Sequence, residues 1–214
     1  MIYTHSIDGL PIKTGDILCT SDGTEADWFG RVWRWIGYLV PGRIDHTILY
    51  VGPGGRCIEA GGRGVIDFTM PGPRWQAEPV ADQRLLADTL VGVAYPLQSL
   101  NLSPAEEQRI RTTVATYCLA QIGKPYNANF LNTVTDDAFY CSQLIYLAYR
   151  AAGVDLSQTP VRLVLDSTND EETPLLVLPT ALLENCPHQL VRSSSRLRPL
   201  PGRARESSAD QNQS

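Results

Sequence analysis

Phe139-Tyr140-Cys141-Ser142-Gln143-Leu144-Ile145-Tyr146-Leu147-Ala148-Tyr149, closed by Gly153, is the stretch on which the reading of this chain turns. Leu144, Ile145, Leu147, Ala148 and Ala151 recur at helical spacing, and Gly153 stands where a left-handed C-terminal cap belongs. The pattern predicts a helix with Cys141 in its first turn. Unpaired N–H groups and the positive end of the helix dipole favour an anion there, so the Cys141 thiol should ionise below the ~8.5 of a free cysteine. Taken alone, Cys141 reads as one more buried small hydrophobe. Its neighbours in the chain change that reading.

Working outward, Ser103-Pro104-Ala105-Glu106 combines an N-cap serine, a proline at the first helical position and the S-x-x-E capping box, which predicts a helix running to about Ile122 and stopping at Gly123. Lys124-Pro125-Tyr126-Asn127 and a polar loop through Asp136-Asp137 connect it to the Cys141 helix. Beyond Gly153, an irregular connection from Asp155 to Thr173 leads to a short helix over Leu178-Leu183 and a last strand near Gln189-Leu190-Val191.

Upstream, Asp45-His46-Thr47-Ile48-Leu49-Tyr50-Val51 and Arg56-Cys57-Ile58-Glu59-Ala60 flank Gly52-Pro53-Gly54-Gly55, a hairpin signal. If those four residues form the loop, Val51 pairs with Arg56 and Ile48 with Glu59. His46 and Glu59 then become diagonal neighbours on one face, together with Cys57, while Asp45 points to the other. Val65-Phe68 and Leu90-Tyr95 read as further strands, with Pro/Gly-broken loop from Met70 to Arg74. Thr14-Gly15-Asp16 turns into a strand at Ile17-Cys19. Trp28, Phe29, Val32, Trp33, Ile36, Leu39 and Val40 follow helical spacing, either as a helix packed on the core or as an aromatic wall beside a substrate.

The chain has 214 residues, 43% hydrophobic and 19% charged, with a formal charge of −5. That composition suits one globular domain, expected over residues 1–192, followed by a Ser/Pro/Gly-rich tail over 193–214 that reads as disordered. The tail carries Arg196, Arg198, Arg203 and Arg205 against Glu206 and Asp210, a solvated end rather than a nucleic-acid footprint. Five cysteines, widely spaced and with no C-x-x-C pair, argue against a disulfide framework or a zinc site. Residues 1–6 do not resemble a signal peptide, and no stretch approaches the ~18 apolar residues of a membrane span. The expectation is therefore a cytoplasmic protein with no integral membrane segment, no metal and no cofactor.

Cysteine hydrolysis needs an anionic nucleophile, an imidazole to exchange its proton, and a group that fixes the imidazole's tautomer. Cys141, His46 and Glu59 supply these types. Of the three histidines, His5 lies in a terminal segment and His188 lacks a supporting hairpin. Ile122-Gly123-Lys124-Pro125-Tyr126, followed by Cys141-Ser142 and a tyrosine-rich helix ending at Gly153, resembles the nucleophile half of NlpC-type papain-like cysteine peptidases. Gly15-Asp16-Ile17, His46 to Gly52 and Ile58-Glu59-Ala60 resemble their histidine half. The cysteine helix follows the histidine strands here, an order similar to the circularly permuted branch of that superfamily.

The resemblance implies an α+β papain-like fold, a small antiparallel sheet or partly closed barrel packed on helices. It also implies Cys141 as nucleophile, His46 as general base and Glu59 as the orienting group. Tyr126 matches a tyrosine that borders the active site in relatives, and Trp28 and Trp33 are candidate substrate contacts. Tyr140 stands where relatives have Asp, and Ala128-Asn129 where Gly-Gly is usual. The expected reaction is cleavage of an amide or ester in a small peptide, amide or acyl substrate through an acyl-thioester. Acyl transfer on lipid-like groups, or a silent binding domain of the same fold, are the alternatives.

Overall fold

The computed structural model describes residues 1–21, 44–130, 132–133, 135–158, 161–163 and 177–191. Trp28, Trp33 and the 193–214 tail lie outside the described residues. Six antiparallel strands make one open sheet in the order β10-β7-β3-β4-β5-β6, with β3 at Ile17–Ser21, β4 at His46–Tyr50, β5 at Arg56–Gly61, β6 at Gly64–Thr69, β7 at Thr89–Ala94 and β10 at His188–Leu190. Of the two expected forms, the described residues make the sheet and no closed barrel. A separate hairpin pairs β1 (Thr4–Ile7) with β2 (Leu10–Lys13), and a small ladder pairs β8 (Val154–Asp155) with β9 (Arg162–Leu163). The four α-helices of the described residues are α1 (Ala81–Arg84), α2 (Pro104–Leu119), α3 (Cys141–Ala151) and α4 (Pro179–Glu184), with a single 3-10 turn at Glu78–Val80 leading into α1.

Alternation along the strands divides the core. Ile17, Cys19, Leu49, Ile58 and Ala60 face α2 and α3, packing on Ile110, Val114, Leu144, Ala148 and Tyr149. Leu18, Ile48, Tyr50 and Cys57 face the other way, against Ile7, Ile12, Phe68 and Met70. The β1-β2 hairpin thus covers the second face. Its Asp8-Gly9 turn, with both residues at positive φ, is the local signal for it.

Ser103 caps α2 by accepting from the Glu106 N–H, and Glu106 accepts from the Ser103 N–H in return, the capping box read from the sequence. The helix ends at Leu119 and a turn carries the chain to Gly123, whose φ of 91° no β-carbon would favour. Both long helices are tied to the turn before β3. Arg111 donates to the Thr14 carbonyl at 2.7 Å and to Asp16 Oδ1 at 2.9 Å, while the Tyr149 hydroxyl donates to the Gly15 carbonyl at 2.5 Å. This clasp fixes the sheet against α3 at the end of α3 opposite Cys141.

Candidate active site

The β4-β5 hairpin has the register that its Gly52-Pro53-Gly54-Gly55 loop implies: Leu49 pairs with Ile58 and Tyr50 with Cys57. Val51 donates to the Arg56 carbonyl at 2.9 Å, closing the same frame. Counting back along both strands puts His46 and Glu59 on one face and diagonal to each other. Their side chains meet, with His46 Nε2 2.8 Å from Glu59 Oε2 and both residues buried. Asp45 is turned elsewhere, its carboxylate accepting from the Ser21 hydroxyl at 3.5 Å.

Two further contacts bring Cys141 to this hairpin. The Ile122-Tyr126 segment docks beside β6, with Gly123 N–H donating to the Val65 carbonyl and Val65 N–H to the Lys124 carbonyl at 2.9 and 2.8 Å. Phe139 then donates to the Pro125 carbonyl, and Asn127 to the Phe139 carbonyl, so the residues around Tyr126 run alongside those that open α3. At the helix start, Gln143 Oε1 accepts from the Tyr140 N–H at 3.2 Å and from Asn127 Nδ2 at 3.1 Å. Gln143 Nε2 in turn donates to the carbonyls of Asn132 and Thr135. A buried amide therefore stitches the polar loop to the first turn, and Ser142 donates to the Val177 carbonyl at 2.6 Å.

The paired ladder of β4 and β5 ends at Leu49 and Ile58, short of Thr47. There the Cys141 side chain comes close enough to the Thr47 amide and the His46 ring for both to act on its charge. His46 Nδ1 is the ring nitrogen that Glu59 leaves available. Cys141 is only 4% exposed. Burial alone would raise its pKa, but the His46 imidazole and the Thr47 amide outweigh that and hold the thiol below its ordinary value. Burial likewise disfavours a charged His46, yet the Cys141 and Glu59 contacts raise it to about 10. Glu59, which burial would push up, is brought down to about 2 by Arg84 and His46. The three shifts run in the directions that favour a thiolate, an imidazolium and a carboxylate.

The other cysteines lack such partners. Burial raises Cys19, Cys57 and Cys118 well above the usual range and Cys186 to about 12. All five are free thiols. Tyr126 lies close enough to feel the Cys141 charge, which adds to burial in raising its hydroxyl; its ring meets Phe130 edge-on, and Phe130 meets Tyr140. Trp28 and Trp33 fall in the undescribed segment. Among the described residues no cluster of three or more His, Cys, Asp or Glu side chains could hold a metal, and no helix is long and apolar enough to cross a membrane.

Arg84 and Asp88 were not among the expected site residues. Arg84, fully buried, donates from Nε to Glu59 Oε1 at 2.9 Å and from Nη2 to Glu59 Oε2 at 2.7 Å. Its other side meets Asp88 at 2.8 and 2.9 Å. No local pattern marks it, because Ala81-Asp82-Gln83-Arg84 is a polar run of the kind usually left in solvent.

A thiol at a helix N-terminus, near a strand imidazole that leans on a buried carboxylate, is the kind of centre that papain-like cysteine hydrolases carry. The family model described as "Permuted papain-like amidase enzyme, YaeF/YiiX, C92 family" matches residues 13–186, and the chain belongs to that family. No curated protein and no solved structure matches it.

Proposed function

We propose that the protein is a cysteine hydrolase that cleaves an amide bond, or a related ester, through an acyl-thioester on Cys141. The observation that carries this reading is the buried 2.8 Å contact between His46 Nε2 and Glu59 Oε2, with Cys141 close enough to act on the charge of the same ring. The Cys141 thiolate attacks the substrate carbonyl carbon, and the tetrahedral oxyanion is held by N–H groups of the first turn of α3, which have no intrahelical acceptor. His46 gives its proton to the departing amine as the C–N bond breaks, leaving the acyl-thioester and a neutral imidazole. Water then attacks that thioester, His46 takes the water's proton, and the acid leaves as the thiolate is restored. Glu59 keeps the ring's Nε2–H fixed, so that Nδ1 is the nitrogen that exchanges protons.

Tyr126 borders the space beside the sulfur, and we assign it, with Trp28 and Trp33, to substrate contact. The order of histidine strand before cysteine helix supports a permuted chain path. Five free thiols suit a reducing compartment, so the cytoplasm is the proposed site of action.

The test is turnover of a small library of amides and esters with acyl-enzyme trapping by mass spectrometry. The expected result is an acyl adduct on the peptide containing Cys141 and no turnover by Cys141→Ala. Undiminished turnover by that variant overturns the proposal. Product analysis with added amines distinguishes hydrolysis from transfer to another acceptor.

A further inference from the structure

We propose that Arg84 is a positioning residue that holds the Glu59 carboxylate against His46, and that Asp88 sets how much of the Arg84 charge reaches the Cys141–His46 pair. The inference rests on the cysteine-hydrolase reading above and extends it to two residues that touch no substrate.

A buried guanidinium is costly unless its donors are met, and four of these five N–H groups are: two bond Glu59 and two bond Asp88. Its remaining surface is apolar, with the guanidinium carbon 4.6 Å from the Phe68 ring centre and 5.2 Å from that of Trp75. Each part is held in turn. Trp75 Nε1 donates to the Asp88 carbonyl at 3.0 Å, and Arg63 donates to the Asp82 carbonyl, fastening α1 to the β5-β6 turn. A β-carbon on Gly62 would come 3.2 Å from that of Leu85, and one on Gly61 would come 3.4 Å from Glu59 Oε1. Gly62 is what lets α1 approach so closely, whereas a β-carbon on Gly61 would make only ordinary contact with the carboxylate.

Mechanical support alone would not need a charged chain. A buried ion network of this kind is often no more stable than an apolar core of the same shape. This one ends on the same Glu59 oxygen that His46 uses, so charges alternate from the Cys141 thiolate through imidazolium, Glu59, Arg84 and Asp88. Without Arg84, Glu59 and Asp88 would be two adjacent buried anions, and Glu59 would have to take up a proton or turn away. Without Asp88, the uncompensated Arg84 charge would add a positive field at the Cys141–His46 pair. Other titratable groups face the chain: Cys57 from β5, and Tyr126 and Tyr140 beside Cys141. Burial keeps Cys57 protonated and holds Tyr126 and Tyr140 neutral, the latter at about 12, so none of them titrates with the thiolate.

The two residues therefore make opposite predictions. Asp88→Asn removes a negative charge, so the pH at which the Cys141 thiolate forms should fall, by roughly half a unit to one unit. Arg84→Gln removes a positive charge and, with Glu59 still ionised, should raise it by a similar amount. Arg84→Lys keeps the charge but cannot make the paired bonds, so the thiolate should form near its wild-type pH while kcat falls at least about 10-fold with KM unchanged.

The experiment is the pH dependence of iodoacetamide alkylation of the full-length protein, read at the Cys141 peptide by mass spectrometry, which needs no substrate. Opposite shifts for Asp88→Asn and Arg84→Gln support the proposal. Shifts in the same direction, or none, overturn it and leave a structural role. If Arg84→Gln does not fold, Asp88→Asn decides alone: a downward shift supports the proposal, and an upward or absent one refutes it. Turnover by Cys141→Ala, or labelling that avoids Cys141, is instead a failure of the hydrolase reading.

Discussion

Glutamine at position 59 probes the most heavily used oxygen in the site. Three donors converge on the two carboxylate oxygens: Arg84 Nε on Oε1 at 2.9 Å, and Arg84 Nη2 and His46 Nε2 on Oε2 at 2.7 and 2.8 Å. A glutamine offers one oxygen. Placed where Oε2 was, it keeps His46 and Nη2 but sets its own N–H groups against the Arg84 Nε–H; flipped, it loses both of those bonds instead. The better arrangement still loses one charge-assisted hydrogen bond, worth about 1.5–3 kcal/mol, along with the negative charge. At about 1.4 kcal/mol per decade, the expected loss in kcat/KM is about 10- to 150-fold. Glu59→Ala leaves a buried guanidinium and imidazole with no acceptor at all, so it should cost more activity and about 3–5 kcal/mol of stability. Neither should equal Cys141→Ala, which removes the proposed nucleophile. The assay is kcat/KM on an amide that the wild type turns over, with urea midpoints for each variant to separate lost fold from lost chemistry. Wild-type kcat/KM in Glu59→Ala at an unchanged midpoint would refute the assignment of Glu59.

Cys141 should outcompete the other four cysteines for iodoacetamide at pH 7, because only its thiol is shifted downward, and His46→Ala should slow that labelling; uniform labelling in the folded protein counts against the thiolate. For acid stability the sign follows from Glu59, whose value is depressed from 4.5 to about 2. Its contribution is present above about pH 4.5 and lost as pH falls through 2, so urea midpoints should drop across that window in wild type and less steeply in Glu59→Gln. Gly64→Ala should lower stability by at least about 2 kcal/mol, since φ is 78° and the new β-carbon would lie 2.4 Å from the Lys124 carbonyl oxygen. Gly54→Ala, at φ 64° with nothing within 4 Å, should cost only about 1 kcal/mol, and equal thermal shifts for the two would show that the Lys124 contact is not made.

What could be read from the chain, and what could not, divides along a physical line. The hairpin register was legible because side chains alternate with period two, so a loop of fixed length determines which residues share a face. The capping box and the glycine stops located α2 and α3 because those signals are local in sequence. The β1-β2 hairpin was equally local, and Asp8-Gly9 between Ile7 and Leu10 announces it; its four-residue strands are too short for alternation to stand out. Arg84 is of another kind. The four residues before Leu85, three of them polar, make only one helical turn, and that turn reads as surface because an arginine is buried only where partners distant in sequence neutralise it.

The distant partner is Glu59, twenty-five residues earlier, and Asp88, four residues on, completes the neutralisation. The same remoteness gives the site its charge order. Cys141 and His46, proposed here to exchange protons, come from a helix and a strand whose patterns are strong, whereas the residues that hold Glu59 in place come from a segment with almost no pattern of its own. A substitution in that segment, made on the view that it is an exposed loop, would remove the counter-charge beneath the imidazole while leaving Cys141, His46 and Glu59 all in the sequence. Activity loss from such a change would then be the expected result of altered electrostatics at His46, and the pH at which the Cys141 thiolate forms is the quantity that reveals it.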